Sequence, residues 1–496
     1  MTTSVTVVII IIVAFFVINA VVIRKFHIPQ ETIETYAVGG RQLGWILVAF
    51  SYLGAWYVGA IYTGWVATSA DLGMFAQYLG IYSIGGMIVM YLIASNVWVW
   101  GKVYNLNTIA DMMTLRYRGK VFSKFFVVTV LCVNIFWLVV EMVTLGYCFM
   151  VATNAVIDFR FGIIIASSFV LVYSIIGGAR ASAVGNLVQG LFFGVVATIV
   201  FFYLIIKTYG GIVPLFDMVI AHRPELVSVS GYRGLWMSSI LTGILGAYVW
   251  PQIFNRIYMT KGPLESKKGV FVAPFIVVLV TVGLLWLALG GSLLDGYPDD
   301  RQLGMFWIAN QYGGPFILGL VSVFAIAACM STISSVSHVI GVMIGSDFLP
   351  HGGDNKRMVK NSRSVTAIVG VLAIMIALLD FQQLNFVALA MYEFIIQAFV
   401  PMFFGIMWKR GNLQGAFAGM ITGVGIALIG FFGGPELFAW AGGFSAGVVG
   451  LIANFIVYYI CAMVFGKQSH VDEMWESLKT YDEMGTFIGN DSKLSS

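Results

Sequence analysis

Thirteen apolar runs, each close to the roughly 20 residues that an α-helix needs to cross a hydrocarbon core, divide this 496-residue chain from end to end. They lie near 4–23, 44–66, 75–99, 121–153, 161–177, 183–206, 235–257, 269–293, 314–345, 363–380, 384–407, 414–433 and 438–465. A chain built this way reads as an all-α integral membrane protein. Its composition agrees: 59% of residues are hydrophobic and 10% charged, whereas soluble domains carry about 25% charged residues.

The basic residues orient the bundle. With the amino terminus outside, 22 of the 27 Lys and Arg fall on cytoplasmic loops and the tail, including Lys493, and five (Arg160, Lys207, Arg223, Arg233 and Arg301) fall outside. The positive-inside rule favours that arrangement, which leaves the carboxyl terminus in the cytoplasm and makes the plasma membrane the expected location. The formal charge of +4 is thereby accounted for by topology, and no nucleic-acid partner is implied. The run Val5 to Ile23 lacks a preceding basic residue and an A-x-A cleavage pattern, so it is expected to be a retained helix. Cys132, Cys148, Cys329 and Cys461 sit singly in apolar runs, which suggests neither disulfides nor zinc. The connections and the tail from Gly466 to Ser496 are too short for a soluble catalytic module.

One string occurs twice. Leu53-Gly54-Ala55-Trp56-Tyr57 lies in the second run and Leu245-Gly246-Ala247-Tyr248 in the seventh, 192 residues apart, and the second is followed by Val249, Trp250 and Pro251. The seventh run is the fifth after the second, and the predicted topology sends the two through the membrane in opposite directions. That is the pattern of a five-plus-five inverted repeat with a broken helix in each half. Breaks survive in a membrane only where they line a cavity or bind something, and exposed carbonyls there suit a hard cation. The rival reading gives Gly54, Gly59 and Gly246 a packing role only. In the ninth run, Ser331, Thr332, Ser334, Ser335 and Ser337 follow Ala327-Ala328-Cys329-Met330. They supply oxygen in two directions, unless they are simply bonded back to their own helix.

Four motifs in order carry a family resemblance. They are Gly39-Gly40-Arg41 with Leu43-Gly44; Gly177-Gly178-Ala179-Arg180-Ala181 with Val188-Gln189-Gly190; Pro251-Gln252 with Arg256; and Ala328-x-Met330-Ser331-Thr332. Together they resemble the sodium/solute symporter family, which includes permeases for proline, pantothenate, sialic acid, sugars and monocarboxylates. The resemblance implies the leucine-transporter fold: an extra amino-terminal helix and loop over 1–43, repeats over 44–234 and 235–433, and a carboxyl-terminal helix and tail over 434–496. It also implies a sodium ion held by the hydroxyls of Ser331 and Thr332 and the carbonyls of Gly54, Tyr57 and Ala328. Two departures stand out. Trp56 occupies a position that is acidic in proline permeases, and Asn186 one that is Asp in many members.

Glu141, Glu393 and Gln397 are polar residues inside apolar runs, where ionisable groups cost about 2.5 to 3.5 kcal/mol, so they join Trp56, Tyr248 and Trp250 as expected solute contacts. Tyr57 is a further aromatic beside the first break. A structural role is the rival for both glutamates, and helix packing is the expectation for His338. The positive ends of the half-helices are natural acceptors for a substrate carboxylate. The function implied is sodium-driven import of a small polar organic solute such as an amino acid, a carboxylate or a vitamin, with proton coupling or nutrient sensing as alternatives. The expected partners are that solute and the lipid bilayer, with no obligatory protein partner. No clustered catalytic set suggests an enzyme.

Overall fold

The computed structural model describes residues 3–26, 29, 32–379 and 384–488, so Lys493 of the basic tally lies outside them. Those residues are helical almost throughout, with two isolated bridges, Leu43 to Thr260 and Tyr481 to Phe487, and no longer strand. The bundle is built from α1 (Thr3–Lys25), α2 (Trp45–Trp56), α3 (Gly64–Leu72), α4 (Tyr78–Val103), α5 (Lys120–Ala152), α6 (Phe159–Gly190) and α7 (Ala197–Tyr209). It continues through α8 (Arg233–Gly246), α9 (Pro251–Tyr258), α10 (Pro263–Gly291), α11 (Gly314–Asp347), α12 (Asn355–Ala377), α13 (Leu384–Ile395), α14 (Phe399–Met407), α15 (Leu413–Gly433) and α16 (Ala446–Phe465).

Among the described residues, ten helical segments are long and apolar enough to cross a membrane. The count of thirteen is not reproduced by that measure, for two physical reasons. The interrupted segments α2 and α8 with α9 are each too short on their own. Conversely, Gly59–Val103 and Phe159–Tyr209 run 45 and 51 residues, more than one crossing requires. In the second of these, Gly178 turns the chain at φ 57, ψ −149. A side chain there would meet the Tyr36 carbonyl oxygen at 2.6 Å, so both conformation and space demand glycine.

Burial ranks the helices. In the segment ending with α11, 78% of the most apolar window is inside the protein, against 28% for α1 and 33% for each of α15 and α16. A helix that is apolar all round and buried all round is a hub, and α11 packs against α1, α2, α5, α6 and α12. The peripheral helices instead turn rows such as Ile10, Val13 and Val17, or Phe271, Phe275 and Leu279 on α10, outward. Rows of exposed large apolar side chains are stable facing lipid and unstable facing water.

Several loop cations predicted at the basic end are buried helix caps rather than free charges. Arg116 donates from Nε to the Gly405 carbonyl at 2.6 Å and from Nη2 to that of Gly411 at 2.9 Å, satisfying the end of α14. Arg41 donates from Nη2 to the Leu106 carbonyl at 2.6 Å and pairs through Nε with Glu34 at 3.0 Å. That contact ties the entry to α2 onto the loop after α4.

Candidate functional site

Both repeated strings lead into helix interruptions, but not at their glycines. Gly54 lies inside α2, and the helix ends where Tyr57 (φ −84, ψ 106) and Val58 (φ −95, ψ 152) are extended. Gly246 is likewise helical, and the second break falls at Trp250 (φ −64, ψ 116). Its cause is local: Pro251 disfavours the helical region for the residue before it and brings no N–H to the first turn of α9. The first break has no such residue and is held by a tertiary contact. Glu141 on α5 is fully buried, and its Oε2 accepts from the Gly59 N–H at 2.8 Å while Oε1 accepts more weakly from that of Ala60 at 3.5 Å. Those are donors that an interrupted helix leaves without partners.

The hub helix closes on this break. A Cβ on Gly59 would fall 2.0 Å from Cys329 Sγ, so α11 and the restarted chain are in direct contact. Just beyond, the hydroxyls of Ser331 and Thr332 both donate to the Ala328 carbonyl, at 2.8 and 3.2 Å. Three oxygens therefore converge on one face of α11, fully buried, with the hydroxyl lone pairs still free to accept. Both hydroxyls are thus back-bonded to their own helix.

One turn further along α11 lies a polar cluster that motif reading did not assemble. Ser335 Oγ accepts from Arg256 Nη2 at 2.6 Å and from Asn186 Nδ2 at 3.2 Å, and lies 3.2 Å from Ser182 Oγ. Arg256, counted in the sequence among loop cations, is only 4% exposed. Among the described residues no carboxylate lies within ion-pair distance of it. Asn186 Oδ1 is buried without a hydrogen-bond partner, and its side chain packs against Gly54, where a Cβ would sit 2.6 Å from Asn186 Cγ. The isosteric change Asn186→Asp therefore fits, pairs Arg256 and adds negative potential close to Ser331. The expected result is a fall of about tenfold in the sodium concentration for half-maximal uptake, measured at fixed solute; an unchanged value would separate this cluster from ion handling.

Between the two breaks, Ala55, Trp56, Val58, Trp137, Trp250, Gln252, Ile253 and Tyr392 enclose a cavity of about 10 Å³, room for about one water. Trp56 and Trp250 are thus brought together as expected, with Trp56 Nε1 donating to Ser83 Oγ at 2.8 Å. The other expected solute contacts are not at this cavity. Tyr248 is buried, its hydroxyl donating to the Phe399 carbonyl at 3.1 Å. Glu393 accepts from the Gly447 N–H, and Gln397 Nε2 donates to the Gly447 carbonyl at 2.9 Å, so both bind α16. His338 packs edge-on against Tyr36, as its helix-packing reading requires. Trp137, Tyr392 and Gln252 escaped sequence assignment to the site. Two of them carried a signal, since Trp137 lies one turn before Glu141 and Gln252 follows the proline of the second break. A larger cavity of about 850 Å³ lies at the end of the bundle bearing Arg41, Asp111, Lys120 and Asp347, and neither break lines it.

Comparison with known proteins decides the family. The sodium:solute symporter family model matches residues 36–423. The chain belongs to that family. This symporter is 25% identical over 489 residues to the osmoregulated proline transporter OpuE of Bacillus subtilis, covering 92% of this chain and 94% of that one. It is 21% identical over 424 residues to the sodium/pantothenate symporter of Escherichia coli, covering 83% and 87%. Its fold matches the substrate-bound, outward-open structure of a Na+-coupled sialic acid symporter with a TM-score of 0.77, covering 94% of this chain and 99% of that one at 17% identity. The symporter is therefore a multi-pass membrane transporter of the sodium-coupled, leucine-transporter-like kind, and not an enzyme.

Proposed function

We propose that this symporter imports a small polar organic solute across the plasma membrane by alternating access, driven by sodium. The inverted repeats span 44–234 and 235–433, and the amino terminus lies outside. The observation that carries the reading is the convergence of Ser331 Oγ, Thr332 Oγ1 and the Ala328 carbonyl on the face of α11 that meets the first break. Sodium takes the two hydroxyls and that carbonyl, together with the carbonyls of Gly54 and Tyr57 at the end of α2, where the helix leaves its last carbonyls without intrahelical donors. These ligands are dipoles without a carboxylate, so the ion is bound weakly enough to be released each cycle. The solute sits between the breaks, against Trp56 and Trp250. The large cavity at the basic end supports release on that side.

The test removes the hydroxyls together. Ser331→Ala with Thr332→Ala is expected to raise the sodium concentration for half-maximal uptake at least tenfold in proteoliposomes under an imposed gradient. Two lost ligands at about 1 kcal/mol each are sufficient for that shift. An unaltered sodium dependence in the double variant would discredit the site.

A further inference from the structure

We propose that the solute of this symporter carries a positively charged nitrogen, which the cavity between the breaks takes up in an aromatic box of Trp56, Trp137, Trp250 and Tyr392 while the carbonyl dipole of Gln252 Oε1 faces the charge. The proposal rests on the reading that the two breaks frame the solute site.

The lining comes first. Trp137, Trp250 and Tyr392 pack on one another in tilted and edge-on contacts at centroid separations of 5.6, 5.7 and 6.2 Å. Trp56 forms a further wall, held by Ser83 and by the Tyr82 ring at 5.5 Å. Ring faces carry negative quadrupole charge, and several converging on one point attract an ammonium group more strongly as water is excluded. In this structure the rings pack on each other over a water-sized space, so a bound cation wedges them apart. Among the described residues, no cationic side chain lines the cavity. Gln252 is 3% exposed, and its Oε1 has no hydrogen-bond partner. A buried acceptor left alone is costly, and a positive charge on the solute relieves it.

The helix ends then argue against a carboxylate as the principal handle. At the first break, the N–H groups of Gly59 and Ala60 already serve Glu141. At the second, α9 opens with Pro251, which has no N–H. The anion acceptors expected of such breaks are filled in one half and, with Ile253 and Phe254 N–H bonded to the Trp250 carbonyl, reduced in the other. Glu141, committed to that break, adjoins Val58, which lines the cavity. Arg256 lies one turn beyond Gln252, but its guanidinium reaches Ser335 and Met259. The aromatic lining and the unpartnered Gln252 Oε1 thus favour a cation.

Purified full-length protein in sodium buffer is titrated with choline and glycine betaine, with 3,3-dimethyl-1-butanol as the neutral isostere of choline, and with pyruvate, following tryptophan fluorescence. The expected result is a saturable change with the cationic probes, at least tenfold weaker with the isostere, and lost in Trp250→Leu. Because that variant opens a hole, Gln252→Leu is the second: it weakens a cationic probe several-fold while its thermal unfolding stays near that of the unchanged protein. Binding of the isostere as tight as that of choline, binding of pyruvate alone, or no binding by either cationic probe overturns the proposal. Gradient-driven accumulation in proteoliposomes separates the two readings. Pyruvate accumulating with sodium sinks the box and keeps symport, whereas a cationic probe that binds selectively but does not accumulate keeps the box and sinks symport.

Discussion

Glu141→Ala abolishes uptake and lowers the unfolding free energy by about 3 kcal/mol, because two buried N–H groups lose their acceptor at roughly 1 to 3 kcal/mol each. The donors belong to Gly59 and Ala60, where the chain restarts after the extended pair Tyr57 and Val58. Neither lipid nor water is available there to replace the carboxylate, since Gly59 and Ala60 are both buried. Glu141→Gln keeps one amide oxygen for Gly59 and removes the charge. The order of thermal stability in detergent is therefore expected to be Glu, then Gln, then Ala. If the alanine variant instead unfolds at the same temperature as the unchanged protein or above it, the carboxylate is a buried burden, and the first break must be held by something else.

The same residue shows what a sequence can and cannot say. Membrane spans, family and the approximate place of both breaks are legible because they rest on composition and short strings. A helix needs a fixed apolar length, and Pro251 disrupts its own neighbourhood whatever surrounds it. The string from Leu53 to Tyr57 locates the first break only approximately, because its cause is not local. It depends on a carboxylate 82 residues further along the chain. Arg256 was misread for a related reason. Its position near the end of a span looks like a loop cation, and only the packing of α9 against α11 shows it buried with Ser335 and Asn186. Glu393 and Gln397 illustrate the converse: helical spacing made them look like a pair facing solute, yet both satisfy the backbone of α16 at Gly447. Polar residues in apolar runs are legible as partners. Which group each one partners is a property of the fold.

The glycines of the repeated strings and their surroundings separate conformational need from space. Gly246 has room: a Cβ there meets Ile395 Cγ2 at 3.7 Å and Tyr392 Cδ1 at 3.9 Å, ordinary contacts. Gly246→Ala is expected to transport at near the unchanged rate. Gly59 has none, with a Cβ 2.0 Å from Cys329 Sγ, 2.9 Å from Glu141 Oε2 and 3.0 Å from the Cys329 backbone nitrogen. The sulfur can rotate away, but the carboxylate is fixed by its hydrogen bonds and the nitrogen by the helix. Gly59→Ala must therefore push α11 off the break or displace Glu141, at a cost of about 1 to 3 kcal/mol for overpacking alone, and uptake is expected to disappear. Cys329→Ala removes the tightest contact and leaves the other two. The double variant should thus recover part of the transport, with a coupling of at least about 1 kcal/mol in a double-mutant cycle on stability. Strict additivity would mean that the two residues do not meet, and the closure of the hub helix on the first break, on which the proposed ion site depends, would have to be abandoned.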